Sequence, residues 1–461
     1  MAHQDDVTRT LAAAARLAQA YLDSLPGRPV YPTVTVEELR AAIDGTLPEA
    51  GRDPERVVEE LVAACDAGTV GNMDGRYYGF VIGGSVPAAL GADWLASTWD
   101  QPAGLYATGP AASVVEEVAG RWLAELLGLP QGVSVAYVTG CQMAHFTCLA
   151  AARHRVLRDA GWDAEADGLQ GAPRIRVVCG EKRHITVDRA LRFLGLGTSA
   201  IHPVACDRVG RVDAAALARE LRALGPGPTI VCGQAGEVNT GSFDDLRALG
   251  VAAREAGAWF HVDGAFGLWA ALSPRLAGLL DGHELAHSWA TDAHKWLNVP
   301  YDSGLAFTAD PEAHRAAIGV HAEYLIHDEG ARRDEVDWTP EFSRRARGFA
   351  VYAAIRQLGR AGIREIVEGC CDRAGELATG LAALPGAELL NDVVLNQVLL
   401  RFADDATTAR VLAAVQASGE AWMSGTTWAG RPAIRVSVAN HRTTAADAAR
   451  TVELFAEALG R

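Results

Sequence analysis

No cysteine pair in this chain is spaced as CxxC, and none of its eight cysteines is partnered by a histidine at metal-ligand spacing. A zinc site and a disulfide framework are therefore not expected, and most of the cysteines (65, 141, 148, 179, 206, 232, 370, 371) read as small buried hydrophobes. Basic charge is in deficit: 42 Lys and Arg stand against 57 Asp and Glu, a formal net charge of −15. The acidic excess is spread without a block of like charges, so the basic footprint that nucleic acid or an anionic membrane needs is missing. No apolar run is long enough to cross a bilayer. The opening stretch meets Asp5 and Asp6 before it turns apolar and is interrupted by Arg9, Arg16 and Gln19, which fails the signal-peptide pattern. The expectation is a cytoplasmic protein with no nucleic-acid partner, no membrane partner and no metal.

What is present is the material of a sizeable globular protein. The 461 residues are too many for one ordinary core, and 49% hydrophobic with 21% charged residues lies in the globular range. Residues 1–90 read as helices punctuated by Pro26, Pro29, Pro32 and Pro48, with an amphipathic stretch at 57–64. That segment has little core of its own and is expected to pack on a partner. Residues 91–325 alternate apolar strand-like runs (133–138, 175–179, 200–204, 229–232, 259–262, 288–291) with helical stretches (143–157, 187–194, 214–224, 245–255). The alternation predicts an α/β unit, a mainly parallel sheet flanked by helices. Residues 326–461 read as a smaller α+β domain: helices at 344–358 and 364–381, strands at 393–402, 421–424 and 433–438, and a last helix from 445.

Five stretches carry candidate chemistry. Lys295 follows the strand 288–291 within Asp292-Ala-His-Lys-Trp296, an amine in partly apolar surroundings where desolvation would favour the nucleophilic free base; a surface lysine beside a strand is the alternative. Asp263, in His261-Val-Asp263, stands 32 positions earlier at another strand end. A buried carboxylate there needs a cation, and a protonated pyridine nitrogen is one; an Asx turn is the plainer reading. Gly264 and Ala265 after it leave room for a flat ring. The junction Thr139-Gly140 opens a helix whose free N–H groups and positive dipole end suit a phosphate. His184 begins a helix and either stacks on a cofactor ring or caps that helix. The polar turn 236–244, with Glu237 and Asn239, falls at the carboxyl edge of the predicted sheet, where open α/β folds bind ligands. Glu237 is there either as a solvated loop carboxylate or as a group facing the ring.

This constellation resembles the group II pyridoxal phosphate (PLP)-dependent amino-acid decarboxylases of fold type I, the aspartate-aminotransferase fold. The resemblance runs from Arg28-Pro-Val-Tyr-Pro32 to Asn440-His-Arg-Thr-Thr444 and is most specific at His261-Val-Asp263 and Asp292-Ala-His-Lys-Trp296. It implies a lyase acting on an L-amino acid, with pyridoxal 5'-phosphate as cofactor and α-decarboxylation through an aldimine with the substrate as the reaction. Lys295 would carry the cofactor's Schiff base, Asp263 the pyridinium nitrogen, and Ala265 and His184 the two ring faces. Gly140, Cys141, Gln142 and His294 would hold the phosphate, with Asp292 and Asn239 also in the cofactor site. A homodimer is implied, its N-terminal segments intertwined and its active sites at the interface. Phe80, Tyr106 and Glu237 are then the substrate-side candidates, the two aromatics reading equally as core residues. In that family a loop tyrosine protonates the substrate carbon after carbon dioxide leaves. The matching stretch here, 334–345, has Glu335 or Val336 where it is expected, and the nearby tyrosine is Tyr324. The alternatives are therefore β-elimination from a cysteine S-conjugate, decarboxylation coupled to oxidative deamination and, more remotely, a catalytically silent scaffold.

Overall fold

The computed structural model describes residues 2–320 and 332–460. Three helices open the chain: α1 (Ala2–Ser24), α2 (Val36–Ile43) and α3 (Pro54–Cys65). Their starts follow from local chemistry. Thr35 and Glu38 form a capping box on α2, and Asp53 accepts the Arg56 N–H to cap α3, with Pro54 in its first turn. Helix α1 lies along α3, yet Val7, Leu11, Ile43, Leu47, Val57 and Leu61 remain exposed in the single chain. Helices α4 (Pro87–Trp99) and α5 (Pro110–Leu126) then lead into the main sheet.

The sheet is built from β1 (Ser134–Val138), β2 (Arg176–Gly180), β3 (Ile201–Val204), β4 (Thr229–Gln234), β5 (Trp259–Asp263), β6 (Ser288–Asp292) and β7 (Gly304–Thr308). The interleaved helices are α6 (Cys141–Asp159), α7 (Ile185–Phe193), α8 (Ala214–Leu224) and α9 (Leu246–Glu255). Strand order is β1-β7-β6-β5-β4-β2-β3. Strands β3, β2, β4, β5 and β6 are parallel, and β7 runs antiparallel between β1 and β6. Every residue of β1, β4, β5, β6 and β7 is buried, as expected for a sheet covered on both faces. The mainly parallel α/β architecture is as the sequence predicts, but β7 was not anticipated. Its run Gly-Leu-Ala-Phe-Thr is short and mostly made of small or polar residues, a weak strand signal.

After the main sheet, α10 (Gly348–Ala382) runs through the two helices expected at 344–358 and 364–381, broken only at Gly359 (φ 59°). It packs on α4 and α5 and on the last helix, α12 (Ala445–Leu459). The second sheet comprises β8 (Glu388–Leu389), β9 (Gln397–Arg401), β10 (Ser424–Trp428) and β11 (Arg431–Ser437), antiparallel in the order β10-β11-β9-β8, with α11 (Asp405–Ala417) between β9 and β10. Strand β10 begins where the sequence expectation ended, at residue 424. Its register is set by the two-residue turn Ala429-Gly430, both at positive φ, which closes the hairpin with β11. Among the described residues no helix is long and apolar enough to cross a membrane.

Candidate active site

The carboxyl ends of β4, β5 and β6 bring Gln234, Asp263 and Asp292 to one edge of the sheet, and a cavity of about 280 Å3 opens there. Phe80, Gly140, Cys141, Gln142, His184, Asp263, Ala265, Asp292, His294 and Lys295 all line it. Ten residues named from sequence thus meet in one place.

Lys295 is presented by the tight turn that follows β6. Its Nζ lies 2.9 Å from Asp292 Oδ2 and 5.7 Å from the ring centre of Phe266. Burial alone would lower its pKa, but the Asp292 carboxylate outweighs burial and holds it above the ordinary lysine value. The expectation of a free base created by desolvation is thereby corrected: in the protein alone Lys295 is an ammonium paired with Asp292. The turn itself is pinned from two sides. Asn298, at φ 52°, donates its side-chain amide to the carbonyls of Lys295, Trp296 and Ala439. Gly83 passes so near the Lys295 carbonyl that a β-carbon there would sit 1.8 Å from its oxygen.

The anion side is formed by the start of α6. Cys141 N–H donates to Asp292 Oδ1 at 2.6 Å, and the side-chain amide of Gln142 is buried with neither its oxygen nor its nitrogen bonded. Such an amide is costly unless a ligand meets it. Strand β7 runs directly behind Gly140: a β-carbon at Gly304 would lie 2.4 Å from the Gly140 backbone. Gly304→Ala is therefore expected to push α6 out of place, to destabilise the fold by about 1–3 kcal/mol and to weaken cofactor binding. Urea unfolding together with a cofactor titration reads both effects, and an unchanged pair of values would show that the close approach carries no strain.

Asp263 is the other pole. Burial would raise its pKa, but the imidazoles of His145 and His184 and the Ala265 N–H, 3.2 Å from Oδ1, hold it well below the usual carboxylate range. His184 has the capping role and stands where it can meet a ligand. It caps α7, accepting at Nδ1 from the Thr186 hydroxyl (2.6 Å) and N–H (3.4 Å), and it also lines the cavity. That acceptor role leaves the ring proton on Nε2, and burial lowers its pKa. His294 accepts the Ser303 N–H at Nδ1 and stacks on Tyr301 with centroids 4.2 Å apart.

Three named residues are not in the cavity. Glu237 is 2% exposed, and its carboxylate accepts from Asn239 N–H and Nδ2, from Thr240 N–H and from the Thr240 hydroxyl. It closes its own turn, while Gly236 and Val238 on either side face the cavity. Asn239 spends its amide on Glu237 and accepts from Thr426, so its side chain is committed within the turn and to β10. Tyr106 lies away from this cavity, its N–H on Asp334 and Arg332 above its ring. Nor do the two candidates for the missing loop tyrosine reach the site. Glu335 is 1% exposed and paired with Arg333, and Val336 is buried. Tyr324 lies outside the described residues.

Sequence reasoning passed over Tyr301, Phe266, Gln234 and Thr186, which line the cavity, and His145, whose Nε2 is 3.5 Å from Asp263 Oδ2. Arg435 stands close to the cavity residue Phe80. It is buried, its Nε is unbonded, and its guanidinium is 5.8 Å from the Phe80 ring. One compositional signal was available throughout: the chain holds two lysines, Lys182 and Lys295, every other basic side chain among the 42 being arginine.

These residues fit a phosphorylated pyridine aldehyde. A primary amine, a buried acid held ionised, an unsatisfied amide at a helix start and cavity walls that include His184 and Ala265 are the complements of its aldehyde, ring nitrogen, phosphate and flat ring. The comparisons agree. Residues 37–403 match the model of the pyridoxal-dependent decarboxylase conserved domain. The chain is 27% identical over 389 residues to the aromatic-L-amino-acid decarboxylase of Bacillus atrophaeus, covering 83% of this chain and 78% of that one. It is 25% identical over 427 residues to the 4-hydroxyphenylacetaldehyde synthase of Rhodiola rosea, covering 88% and 85%. The crystal structure of Oryza sativa TDC with PLP and tryptamine superposes with a TM-score of 0.92 over 99% of this chain and 98% of that one at 23% identity, which shows the shared fold. The chain belongs to the pyridoxal-dependent decarboxylase family, and is a PLP-dependent carbon–carbon lyase acting on an amino acid.

Proposed function

We propose that this enzyme decarboxylates an L-amino acid with an aromatic side chain, using Lys295 to tether the cofactor and Asp263 to keep its ring nitrogen protonated. The observation that carries the reading is the meeting of Lys295, Asp263 and the Gln142 amide in a cavity whose remaining lining includes Phe80, Phe266, Val238 and Tyr301. Apolar, flat surfaces of that kind complement an aromatic ring, and the relatives' names point to the same class. When bound, the cofactor supplies an electron sink for the pair left behind as carbon dioxide departs.

The chain's own residues do the rest. Gly140, Cys141, Gln142 and His294 bind the phosphate, Ala265 and His184 take the ring faces, and Asp292 receives the proton-rich end of Lys295. Arg435 offers a buried cation to the substrate carboxylate beside Phe80. His184 Nε2–H and the Tyr301 hydroxyl are the pocket donors for the α-carbon. Burial, the largest influence, raises the Tyr301 pKa, which keeps that hydroxyl protonated.

The same reading includes a homodimer, a three-part chain (1–90, 91–325, 326–461) and a cytoplasmic location. Support for the first lies in the exposed apolar residues of α1 to α3, and Tyr106, which stands apart from its own chain's cavity, is then a candidate for the partner's. All eight cysteines are unpaired, in keeping with a reducing compartment.

A second reading, decarboxylation coupled to oxidative deamination with dioxygen as the oxidant and hydrogen peroxide as its product, is favoured by the burial of Glu335 and Val336 outside the cavity and by the aldehyde-synthase relative. Incubation with phenylalanine, tyrosine, tryptophan and glutamate, analysed for amine, aldehyde, ammonia and pyruvate, separates them. Amine from an aromatic substrate is the expected product. Aldehyde with ammonia would establish the second reading, and turnover of glutamate alone would overturn the substrate class.

A further inference from the structure

Beneath the cavity floor a chain of side chains connects the interior of the sheet to Asp263. Trp259 Nε1 donates to Ser288 Oγ at 2.9 Å, Ser288 Oγ meets His261 Nδ1 at 2.9 Å, and His261 Nε2 meets His145 Nδ1 at 2.9 Å. His145 Nε2 then faces Asp263 Oδ2 at 3.5 Å, with Cys141 Sγ 3.4 Å away on its flank. His145, His261 and Ser288 are fully buried.

With both imidazoles neutral, the carboxylate end sets the direction of the protons along this chain, and the indole end is compatible with it. An indole N–H can only donate, and a carboxylate can only accept. Ser288 Oγ therefore accepts from Trp259 and has its own proton for His261 Nδ1. His261, kept neutral because burial pushes its pKa down to about 3, presents Nε2–H to His145 Nδ1, and His145 is left with its Nε2–H aimed at Asp263. Burying two imidazoles this deeply is costly unless each atom is used, and this arrangement uses all four ring nitrogens.

We propose that His145 is a positioning residue, the end of a buried relay from Trp259 through Ser288 and His261 that holds Asp263 ionised and aimed for the cofactor's ring nitrogen. The inference rests on the reading that Asp263 meets that nitrogen. It goes beyond that reading in assigning the carboxylate's charge state to a histidine pair that touches no ligand. Sequence adjacency hides the device, because its members come from β5, β6 and α6.

The test uses the full-length protein, stripped of cofactor and titrated in parallel with pyridoxal phosphate and with its 1-deaza analogue, in which a C–H replaces the ring nitrogen. Wild type is expected to prefer pyridoxal phosphate. His145→Phe is expected to weaken pyridoxal phosphate binding about tenfold, the worth of one hydrogen bond to a charged group, with analogue binding unchanged. His145→Asn, which keeps an acceptor for His261 and a donor for Asp263, is expected to retain most of the preference. Equal loss with both ligands, or none with either, would reduce His145 to a packing residue and overturn the proposal. Should the phenylalanine variant not fold, His145→Leu is read in the same way. A wild-type protein that binds both ligands equally would instead remove Asp263 from the ring nitrogen, a failure of the underlying reading.

Discussion

Lys295→Arg and Lys295→Ala are both expected to lose turnover by at least about 10^4-fold, because each removes the only primary amine in the cavity among the described residues. The pair separates two roles that alanine alone confounds. Arginine keeps a positive charge beside Asp292, so the ion pair at 2.9 Å and the capping of α6 through Cys141 survive. It cannot be deprotonated to act as a nucleophile. If Lys295 matters only as a counter-charge for Asp292, the arginine variant keeps substantial activity. If it tethers the cofactor, both variants fail alike, and the arginine variant remains as stable as wild type in a thermal melt. Initial rates with an aromatic amino acid, measured at saturating cofactor, read the difference. A rate above one hundredth of wild type in Lys295→Arg would take the amine out of the mechanism.

Asp263→Asn carries the second large effect. Asparagine preserves the shape at the end of β5 and can still accept the Ala265 N–H, but it gives up the negative charge that His145 and His184 help to hold in place. A preorganised charge beside a developing counter-charge is worth about 10^2–10^3 in kcat, and a fall of that order is expected. Cofactor affinity should fall as well, since a neutral amide no longer favours the protonated ring nitrogen. Because the substitution leaves the cavity-lining residues Phe80, Phe266 and Tyr301 in place, KM should change far less than kcat. A variant with near-normal kcat and raised KM would place Asp263 in substrate binding instead.

How much of this was written in the sequence depends on the kind of signal each part leaves. The parallel strands and the lysine and aspartate motifs sit at strand ends, where a periodic apolar run stops and a polar residue follows, and that junction is visible in one dimension. Strand β7 is a five-residue run of small and apolar residues, Gly304–Thr308, and its antiparallel insertion between β1 and β6 is set by pairing in space rather than by sequence order. Glu237 and Asn239 were misplaced for a related reason. Their turn does lie at the carboxyl edge of the sheet, but a short polar turn can satisfy its carboxylate internally, and four donors within three residues do so here. His145 shows the converse. It sits one helical turn after Cys141 on the buried face of α6, and its meaning comes from His261 and Asp263, 116 and 118 positions away. Tyr301 and Phe266 reach the cavity from loops, where no periodicity applies. The scarcity of lysine was the cheapest unread clue, since one of only two lysines stands in Asp292-Ala-His-Lys-Trp296.

That scarcity also makes the central claim easy to test. Reduction of the holoenzyme with borohydride fixes a Schiff base as a stable secondary amine, and proteolysis with mass analysis then locates the added phosphopyridoxyl group. The account predicts the adduct on the peptide containing Lys295 and none on the peptide containing Lys182, whose ammonium lies over the Trp428 ring instead. An adduct on Lys182, or no adduct on either lysine in cofactor-loaded protein, would contradict it.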